Sequence, residues 1–590
     1  MDGELSTIGQ QIRRIADYQR PPDRVRERIH KTNPSLHSDK MFGSVKKLLD
    51  ELNPIVENET PHTESLQKSI LDYEWMFDTE LHEKPETNVL FHRQGENPNI
   101  DVSTVEVQFS VSGMIEAAAR SGSIPPQTAA SILEHNEEIT RCSDFGLSII
   151  LPLEELGLTN ARNNEDLAAA KEKVTSYIKS LEEVEVVVGG YTSGIQFART
   201  EETEKRAPYT ESDVSQQFLS RSKIDGKKRA VITCPGPGME LNRFSHMVSP
   251  QDPFGPRDHM LALSSSLTLF GLTDLQHLHY LDFYGHSMGG ASVVDLFENY
   301  TFPPNLNVSV IAFDPAVAGT NAWANAAERD ISPETAMRSL LQKLLAIQIS
   351  GGLQTLDTIA QALHNPVIYA KLKRFLAENA TSWLFLPGDR RHMPNLIKKH
   401  MTNLLARTDA ATLSAMGSIV DTPVNWKAIR NKVYGRSGNS MRLILVADAQ
   451  DQMVDTRLLL SQLPSDLPLF VLTDGDDRGS HYAFKRNSRQ GRISILRQCS
   501  RLSQEKFVFL LNGFQSINHG LRLDPHTSIE KLVQNELRSK KAETMRIFGL
   551  DEAGFEELFT VFPEDPELNT VLLAFRRLSD QVHFNETSDI

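Results

Sequence analysis

The sequence has little cysteine, no long apolar run and no excess of basic charge. Its 590 residues include three cysteines, Cys142, Cys234 and Cys499, which are too far apart in sequence for a CxxC pair or a disulfide framework. This usage favours a reducing, cytoplasmic environment. No run approaches about 18 consecutive apolar residues, and the first residues lack the basic and apolar segments of an export signal. Neither a transmembrane segment nor export is expected.

Acidic residues outnumber basic ones by 77 to 62, which gives a formal net charge of -15. Because such a chain repels nucleic-acid phosphates and anionic lipid surfaces, we expect no nucleic-acid partner. The sequence also lacks a GxxxxGK[ST] phosphate loop, a GxGxxG fingerprint after a strand and any Cys/His spacing typical of structural zinc. We therefore predict neither a metal nor another cofactor.

Hydrophobic periodicity changes along the chain. In residues 1–182 the apolar positions recur mostly at helical spacing, which predicts a mainly helical N-terminal region of unassigned role with one strand near Val102 to Val111. From residue 183 short apolar strands alternate with helical stretches. The strand candidates are Val184 to Val188, as half of a hairpin with Gly194 to Ala198, and then Ala230 to Thr233, Tyr280 to Tyr284, Val308 to Phe313, Leu443 to Val446, Leu469 to Leu472 and Phe507 to Leu511.

This alternation predicts an α/β fold with a mostly parallel sheet buried on both faces. The core occupies residues 183–318 and 441–545. Helical spacing in residues 319–440 predicts an inserted helical lid between the two parts, and residues 546–590 form a helical C-terminal extension.

The strongest motif is Gly-His-Ser-Met-Gly-Gly at residues 285–290, between an apolar strand and a helical stretch. A G-x-S-x-G serine in this context sits on a tight strand-to-helix turn. The positions around it must be very small, which Gly285, Gly289 and Gly290 satisfy. The turn exposes Ser287 and directs the helix N-terminus at developing negative charge.

With this motif the sequence resembles the α/β-hydrolase superfamily over about 340 residues, from Val184 to Arg522. The resemblance implies an α/β-hydrolase sandwich with Ser287 as nucleophile. Pro-Gly-Pro-Gly at residues 235–238 follows a strand, where the family has its oxyanion loop, and the resemblance makes Gly236 and the backbone N–H of Met288 the oxyanion donors. Proline has no N–H, so only Gly236 and Gly238 of the tetrapeptide could donate.

An acid and then a histidine should follow the serine in the chain. Asp451, in the loop after the strand Leu443 to Val446, matches the family's acid position better than Asp448 does. Asp314, after the preceding strand, is a second alternative that some lipases use, although a turn or cap before Pro315 is the simpler interpretation.

Two histidines could be the base. His481 lies 30 residues after Asp451 and follows the strand Leu469 to Leu472, a spacing that fits the family. His519 follows the apolar run Phe507 to Leu511 and also resembles the family's histidine loop, but at 68 residues from Asp451 it requires an insertion. Both alternatives remain open at this point.

The resemblance implies hydrolysis of a carboxylic ester through an acyl-enzyme. The partner is then a small-molecule acyl substrate, with the lid walling an apolar acyl pocket. Thioester or peptide hydrolysis and acyl transfer use the same arrangement of side chains. The alternative from another class is an interaction protein that keeps the fold without turnover.

Overall fold

The computed structural model describes residues 68, 70–77, 88–92, 102–190, 218–236, 243–244, 255–272, 275–300, 302–303, 306–317, 424–435, 441–448, 451, 454–472, 487–561, 563–579 and 582–583. His481, the first 67 residues and residues 319–423 of the predicted lid lie outside the described residues.

Most of the described strands belong to one sheet. The strands are β1 (Asn88–His92), β2 (Thr104–Ser110), β3 (Cys142–Asp144), β4 (Gly146–Pro152), β5 (Glu183–Val188), β6 (Arg229–Cys234), β7 (Arg243–Phe244), β8 (Tyr280–His286), β9 (Asn307–Phe313), β10 (Met441–Asp448), β11 (Leu469–Leu472) and β12 (Val582–His583). The sheet has the order β1-β2-β4-β6-β5-β8-β9-β10-β11-β12, and β3 pairs with β7. The strands from β6 to β11 in this order are parallel, and antiparallel strands extend the sheet at both ends.

The central strands are apolar along their whole length. β9 reads Asn-Val-Ser-Val-Ile-Ala-Phe and β10 reads Met-Arg-Leu-Ile-Leu-Val-Ala-Asp, and nearly every residue in both is buried. Such runs, rich in β-branched residues, suit a parallel sheet that is covered by helices on both faces. The predicted α/β fold is confirmed.

Helices connect and cover these strands. The α-helices are α1 (Val111–Arg120), α2 (Pro126–Thr140), α3 (Asn164–Ala169), α4 (Lys171–Lys179), α5 (Ser222–Asp225), α6 (Pro256–Leu269), α7 (Met288–Asn299), α8 (Trp426–Tyr434), α9 (Thr456–Gln462), α10 (Asn487–Ser500), α11 (Gln504–Leu523), α12 (Ile529–Ser539), α13 (Lys541–Phe548), α14 (Glu552–Glu557) and α15 (Pro566–Leu578). α7 contacts β5, β8, β9 and α6, whereas α10 and α11 contact β10. None of the described helices combines the length and hydrophobicity needed to cross a bilayer.

The sheet begins before residue 183. Helices contain most of residues 102–182, as predicted, and the strand expected near Val102 to Val111 is confirmed as β2. However, β2 and β4 pair in succession with β6, so the predicted boundary at residue 183 does not separate the core from what precedes it. The predicted hairpin is wrong, because β5 has parallel partners on both sides along its whole length.

The C-terminal part also departs from the prediction. The run Phe507 to Leu511 was expected to be a strand, but it lies in the 20-residue helix α11. The predicted extension from residue 546 is not separate either. α15 buries Leu572, Phe575 and other apolar residues in the core, and β12 pairs with β11 at the sheet edge. The end of the predicted lid, α8, likewise packs on α7 and β10.

Charged residues are buried along one face of β5 and β8. The guanidinium of Arg501 forms ion pairs with Glu183, at 2.9 Å, and with Asp282, and Arg229 pairs with Glu183 at 2.8 Å. Arg497 pairs with Glu185 at 2.5 Å. Burial alone would raise the pKa of Glu183, but its cationic partners, Arg501 foremost, outweigh burial and lower the pKa from 4.5 to about 2. The two central strands are therefore joined to the segment after α10 by electrostatics.

Replacing this arginine should destabilise the protein. Because Arg501→Met leaves two buried carboxylates with fewer partners, we expect the free energy of unfolding to fall by about 3 to 5 kcal/mol. The stabilisation from Glu183 is complete above pH 4.5 and is lost as the pH falls through about 2. The variant raises the pKa of Glu183, so acid unfolding should begin at higher pH. Urea unfolding at pH 7 and an acid titration followed by circular dichroism measure both effects.

Arg546→Met is the matched control. Arg546 pairs with Glu505 at 2.5 Å, but the two side chains are 61% and 55% exposed. Exposed ion pairs contribute little because water and salt screen them. Equal losses in the two variants would show that the buried cluster has no special part in stability.

Candidate active site

Ser287 occupies a strained turn between β8 and α7. Its backbone angles are φ 57° and ψ -119°, a region that residues with a side chain rarely adopt. The residue before it ends the strand, the residue after it begins the helix, and the serine itself is half-buried. This is the predicted nucleophile elbow, which presents a serine hydroxyl at the carboxyl end of the sheet.

The three glycines of the motif are required by close backbone approach. A Cβ on Gly285 would overlap the next turn of the elbow, and one on Gly289 would overlap the carbonyl of Val188 in β5. A Cβ on Gly290 would lie 2.9 Å from the carbonyl oxygen of Phe313 in β9. Real Cβ atoms do not approach so closely, so α7 can contact β5 and β9 only because these positions have no side chain.

Backbone hydrogen bonds fix the elbow to the end of β9. Ser287 N donates to the carbonyl of Phe313 at 2.9 Å, and Ala316 N donates to the carbonyl of Ser287 at 3.1 Å. The carbonyl of Ser287 also accepts the first helical bond, from Ala291 N at 2.9 Å. Both polar backbone groups of the strained residue are therefore paired.

The structure adds a pair of glycines that the sequence analysis missed. Gly189 and Gly190 directly follow β5, the neighbour of β8. A Cβ on Gly190 would lie 2.7 Å from the carbonyl oxygen of His286 and 3.1 Å from Cβ of Ser287. Gly236 instead follows β6, which β5 separates from the elbow strand. The Gly-Gly pair was visible in the sequence, but which strand lies next to β8 was not.

The carboxylates sit at the ends of β9 and β10. Asp451 is half-buried in a turn, where its backbone N–H donates to the carbonyl of Asp448 at 3.2 Å and its Oδ1 accepts from Val454 N at 3.1 Å. Asp314, with φ 41°, accepts the backbone N–H of Asp448 on Oδ1 at 2.7 Å. That bond joins the ends of the two strands and gives Asp314 a structural role.

The structure changes the comparison of the two histidines. His519 is exposed on α11, and the strand and loop that suggested it are absent from residues 504–523. The histidine loop predicted there is wrong. His481 lies in the segment between Leu472, the end of β11, and Asn487, the start of α10, which the structure does not describe. Its role stays a prediction.

Among the described residues, no group of three or more His, Cys, Asp or Glu side chains is arranged to hold a metal ion. The three cysteines are buried and carry free thiols. Burial raises the pKa of Cys234 well above its usual value, which keeps this thiol protonated and a poor nucleophile.

With the strand order and the elbow in place, the chain has the α/β-hydrolase fold, as the sequence resemblance implied. Compared with models of known protein families and with curated proteins, the chain matches none. Solved structures with similar folds do exist.

Three of these similar structures are an esterase from Exiguobacterium antarcticum, a carboxylesterase from Bacillus subtilis and a bromoperoxidase from Bacillus anthracis. The esterase is 11% identical with a TM-score of 0.32, over 55% of this chain and 93% of its own. The carboxylesterase is 9% identical with a TM-score of 0.32, over 73% and 97%. The bromoperoxidase is 12% identical with a TM-score of 0.30, over 54% and 91%. Likenesses this distant carry no argument about the chemistry of this chain.

The strain at the elbow should be measurable as stability. Glycine adopts the backbone angles of Ser287 without steric cost, so Ser287→Gly should raise the free energy of unfolding by about 1 kcal/mol, the relieved strain less the entropy lost by glycine. Ser287→Ala keeps the Cβ and should change stability little. Urea unfolding of the two variants beside the wild type makes the comparison, and equal stabilities for Gly and Ala would contradict a strained elbow.

Proposed function

We propose that this chain is a serine hydrolase that cleaves a carboxylic ester through an acyl-enzyme. The observation that carries the proposal is the geometry of Ser287, a strained and half-buried residue at the start of α7. Because backbone strain of this kind is costly, it persists mainly where function requires it. A serine that only caps a helix needs neither positive φ nor glycines on both sides.

In the proposed mechanism His481 takes the proton of Ser287 as the hydroxyl attacks the acyl carbonyl. Asp451 holds the imidazole in the tautomer that accepts this proton. The backbone N–H of Met288, at the N-terminus of α7, donates to the oxyanion. The same histidine then protonates the leaving alcohol, and water releases the acid from the acyl-enzyme by the reverse sequence of proton transfers.

Chain connectivity supports His481 as the base. β11 lies three strands from β8, about 15 Å at the usual strand spacing. The nine residues from Leu472 to His481 can span up to about 30 Å when extended. The segment can therefore bring the imidazole to the elbow. His519, exposed on a regular helix, has no comparable freedom to move.

The second oxyanion donor is proposed from the loop that begins at Gly189 and Gly190. Its contact with the elbow supports this choice, and it agrees with the position of the oxyanion loop after the strand that neighbours the nucleophile strand. Gly236, which the sequence resemblance favoured, stays the alternative donor. One such donor contributes roughly 3 to 4 kcal/mol of transition-state stabilisation in related chemistry.

An ester is proposed as the substrate because the sequence Gly-His-Ser-Met-Gly-Gly resembles that of esterases and acylglycerol lipases. The substrate is then a small molecule with an apolar acyl group, for which the predicted lid supplies the wall. No described residue marks a site for the charged amino terminus that an aminopeptidase substrate would carry. Thioester hydrolysis and acyl transfer are outcomes of the test below.

The test is hydrolysis of p-nitrophenyl acetate and p-nitrophenyl decanoate by the wild type and by Ser287→Ala, Asp451→Asn, His481→Ala and His519→Ala. We expect the Ser287 and His481 variants to lose at least about 10³-fold in kcat, and the Asp451 variant somewhat less. His519→Ala is the matched control and should keep wild-type turnover. Circular dichroism confirms that each variant is folded.

Other outcomes are equally definite. Turnover that survives in Ser287→Ala would exclude the serine mechanism, and loss in His519→Ala alone would assign the base to His519. A folded wild type without turnover would contradict ester hydrolysis. Phenylmethylsulfonyl fluoride labelling of Ser287, read by mass spectrometry, would then separate a reactive serine with another acyl substrate from a protein without catalysis.

The oxyanion assignment has its own test. Gly190→Ala introduces a Cβ against His286 and Ser287, so the loop or the elbow must move, and we expect kcat to fall about 10²-fold. Gly549→Ala is the control, because that glycine also has positive φ, at 63°, but nothing within 4 Å of a built Cβ. A larger loss in Gly236→Ala than in Gly190→Ala would instead favour the Pro-Gly-Pro-Gly loop.

A further inference from the structure

A buried histidine connects the elbow helix to the loop that follows β6. His259, on α6, is completely buried, and its Nε2 lies 3.2 Å from the carbonyl oxygen of Pro235. Its Nδ1 lies 3.1 Å from Oγ of Ser292 on α7. Ser292 Oγ in turn lies 2.9 Å from the carbonyl oxygen of Met288. One imidazole thus bridges two elements that border Ser287.

The partners determine where the imidazole proton lies. The carbonyl of Pro235 can only accept, so Nε2 carries the hydrogen and donates it. Nδ1 is then an acceptor that faces the hydroxyl of Ser292. That hydroxyl has one hydrogen for two acceptors, the Nδ1 atom and the carbonyl of Met288. Burial lowers the pKa of His259 to about 4, so the ring stays neutral at physiological pH.

A second contact of α6 restricts how the two helices can move. Arg257 Nε donates to Oδ1 of Asp295 on α7 at 2.7 Å, and both side chains are largely buried. The N-terminus of α6 is itself fixed, because Asp258 accepts the backbone N–H of Gly255 at 2.8 Å. His259 therefore projects from a fixed point, and small displacements of α7 would change the length of its hydrogen bonds.

We propose that His259 is a positioning residue that holds the first turn of α7, and with it the strained peptide between Ser287 and Met288, against the loop that begins at Pro235. The proposal rests on the proposed function for its catalytic consequence. Met288 supplies the proposed oxyanion donor, and a displacement of about 1 Å at such a group can cost about 10²-fold in rate. His259 itself touches neither the substrate nor the reacting atoms.

Three substitutions of His259 separate its two hydrogen bonds. His259→Phe keeps a ring and removes both. His259→Gln places an amide N–H near the position of Nε2, whereas His259→Asn places an amide oxygen near that of Nδ1. We expect kcat for p-nitrophenyl acetate to fall at least about 10-fold in His259→Phe with KM within about twofold, and at least one amide variant to recover part of the loss.

Ser292→Ala removes the same bridge from the other side and should give the same split between kcat and KM. Combining it with His259→Phe should add no further loss, because both substitutions break one interaction. Thr268→Val is the matched control: Thr268 lies on the same helix, is buried, and donates to the carbonyl of Ser264 at 2.7 Å without contacting α7. A kcat that is unchanged in His259→Phe, or lowered as much in Thr268→Val, would overturn the proposal.

A readout independent of turnover distinguishes failure of this proposal from failure of the proposed function. If His259 holds the elbow in its strained state, the rise in the urea midpoint from Ser287→Gly should be smaller in the His259→Phe or Ser292→Ala background than in the wild type. An equal rise in all backgrounds would overturn the proposal. A wild type without esterase activity would contradict the proposed function and leave this coupling measurable.

Discussion

The distance at which three backbones pass one another is the constraint on which the rest of the site depends. α7 lies against the ends of β5 and β9, and a single methyl group on Gly289 or Gly290 would occupy space that carbonyl oxygens already fill. This close approach forces the turn at Ser287 into positive φ, because the chain has no room to leave the strand more gradually. The strain is a consequence of packing, and the packing is possible only with glycine.

A helix under such a constraint must be held firmly, and α7 is held at its far end as well. The ammonium of Lys432, on α8, lies 3.0 Å from the carbonyl oxygen of Phe297 and also contacts the carbonyls of Glu298 and Tyr300. A cation at a helix C-terminus pairs carbonyls that would otherwise lack donors and interacts favourably with the helix dipole. Partial burial lowers the pKa of Lys432, a cost that the three carbonyls offset.

The sequence was informative where one local pattern excluded the alternatives. The elbow could be predicted because glycines on both sides of a serine, between a strand and a helix, suit few structures besides this turn. The apolar run Phe507 to Leu511 was ambiguous, since five apolar residues suit a buried strand or one side of a buried helix. Its continuation to Leu523 at helical spacing was the signal that should have decided it, and with that helix the loop proposed for His519 disappears.

Other features could not be read from local pattern at all. β5 and β6 exchange places relative to their order in the chain, so β5 and not β6 becomes the neighbour of β8. The glycines beside Ser287 therefore follow the earlier strand. Pairing between strands is decided by tertiary packing, which leaves no mark in either strand alone. For the same reason the carboxylates at residues 183 and 282 gave no hint that Arg501 would lie between them.

The position of β12 has a consequence for how the protein is made. The sheet starts with strands near residues 88 and 104, but its last strand, Val582–His583, is supplied more than 450 residues later. During synthesis the edge of β11 stays open until the ribosome has released almost the whole chain, and α15, which covers part of the core, arrives only just before. A nascent chain that stalls before this point exposes an unpaired strand edge, the kind of surface that chaperones bind and that otherwise aggregates.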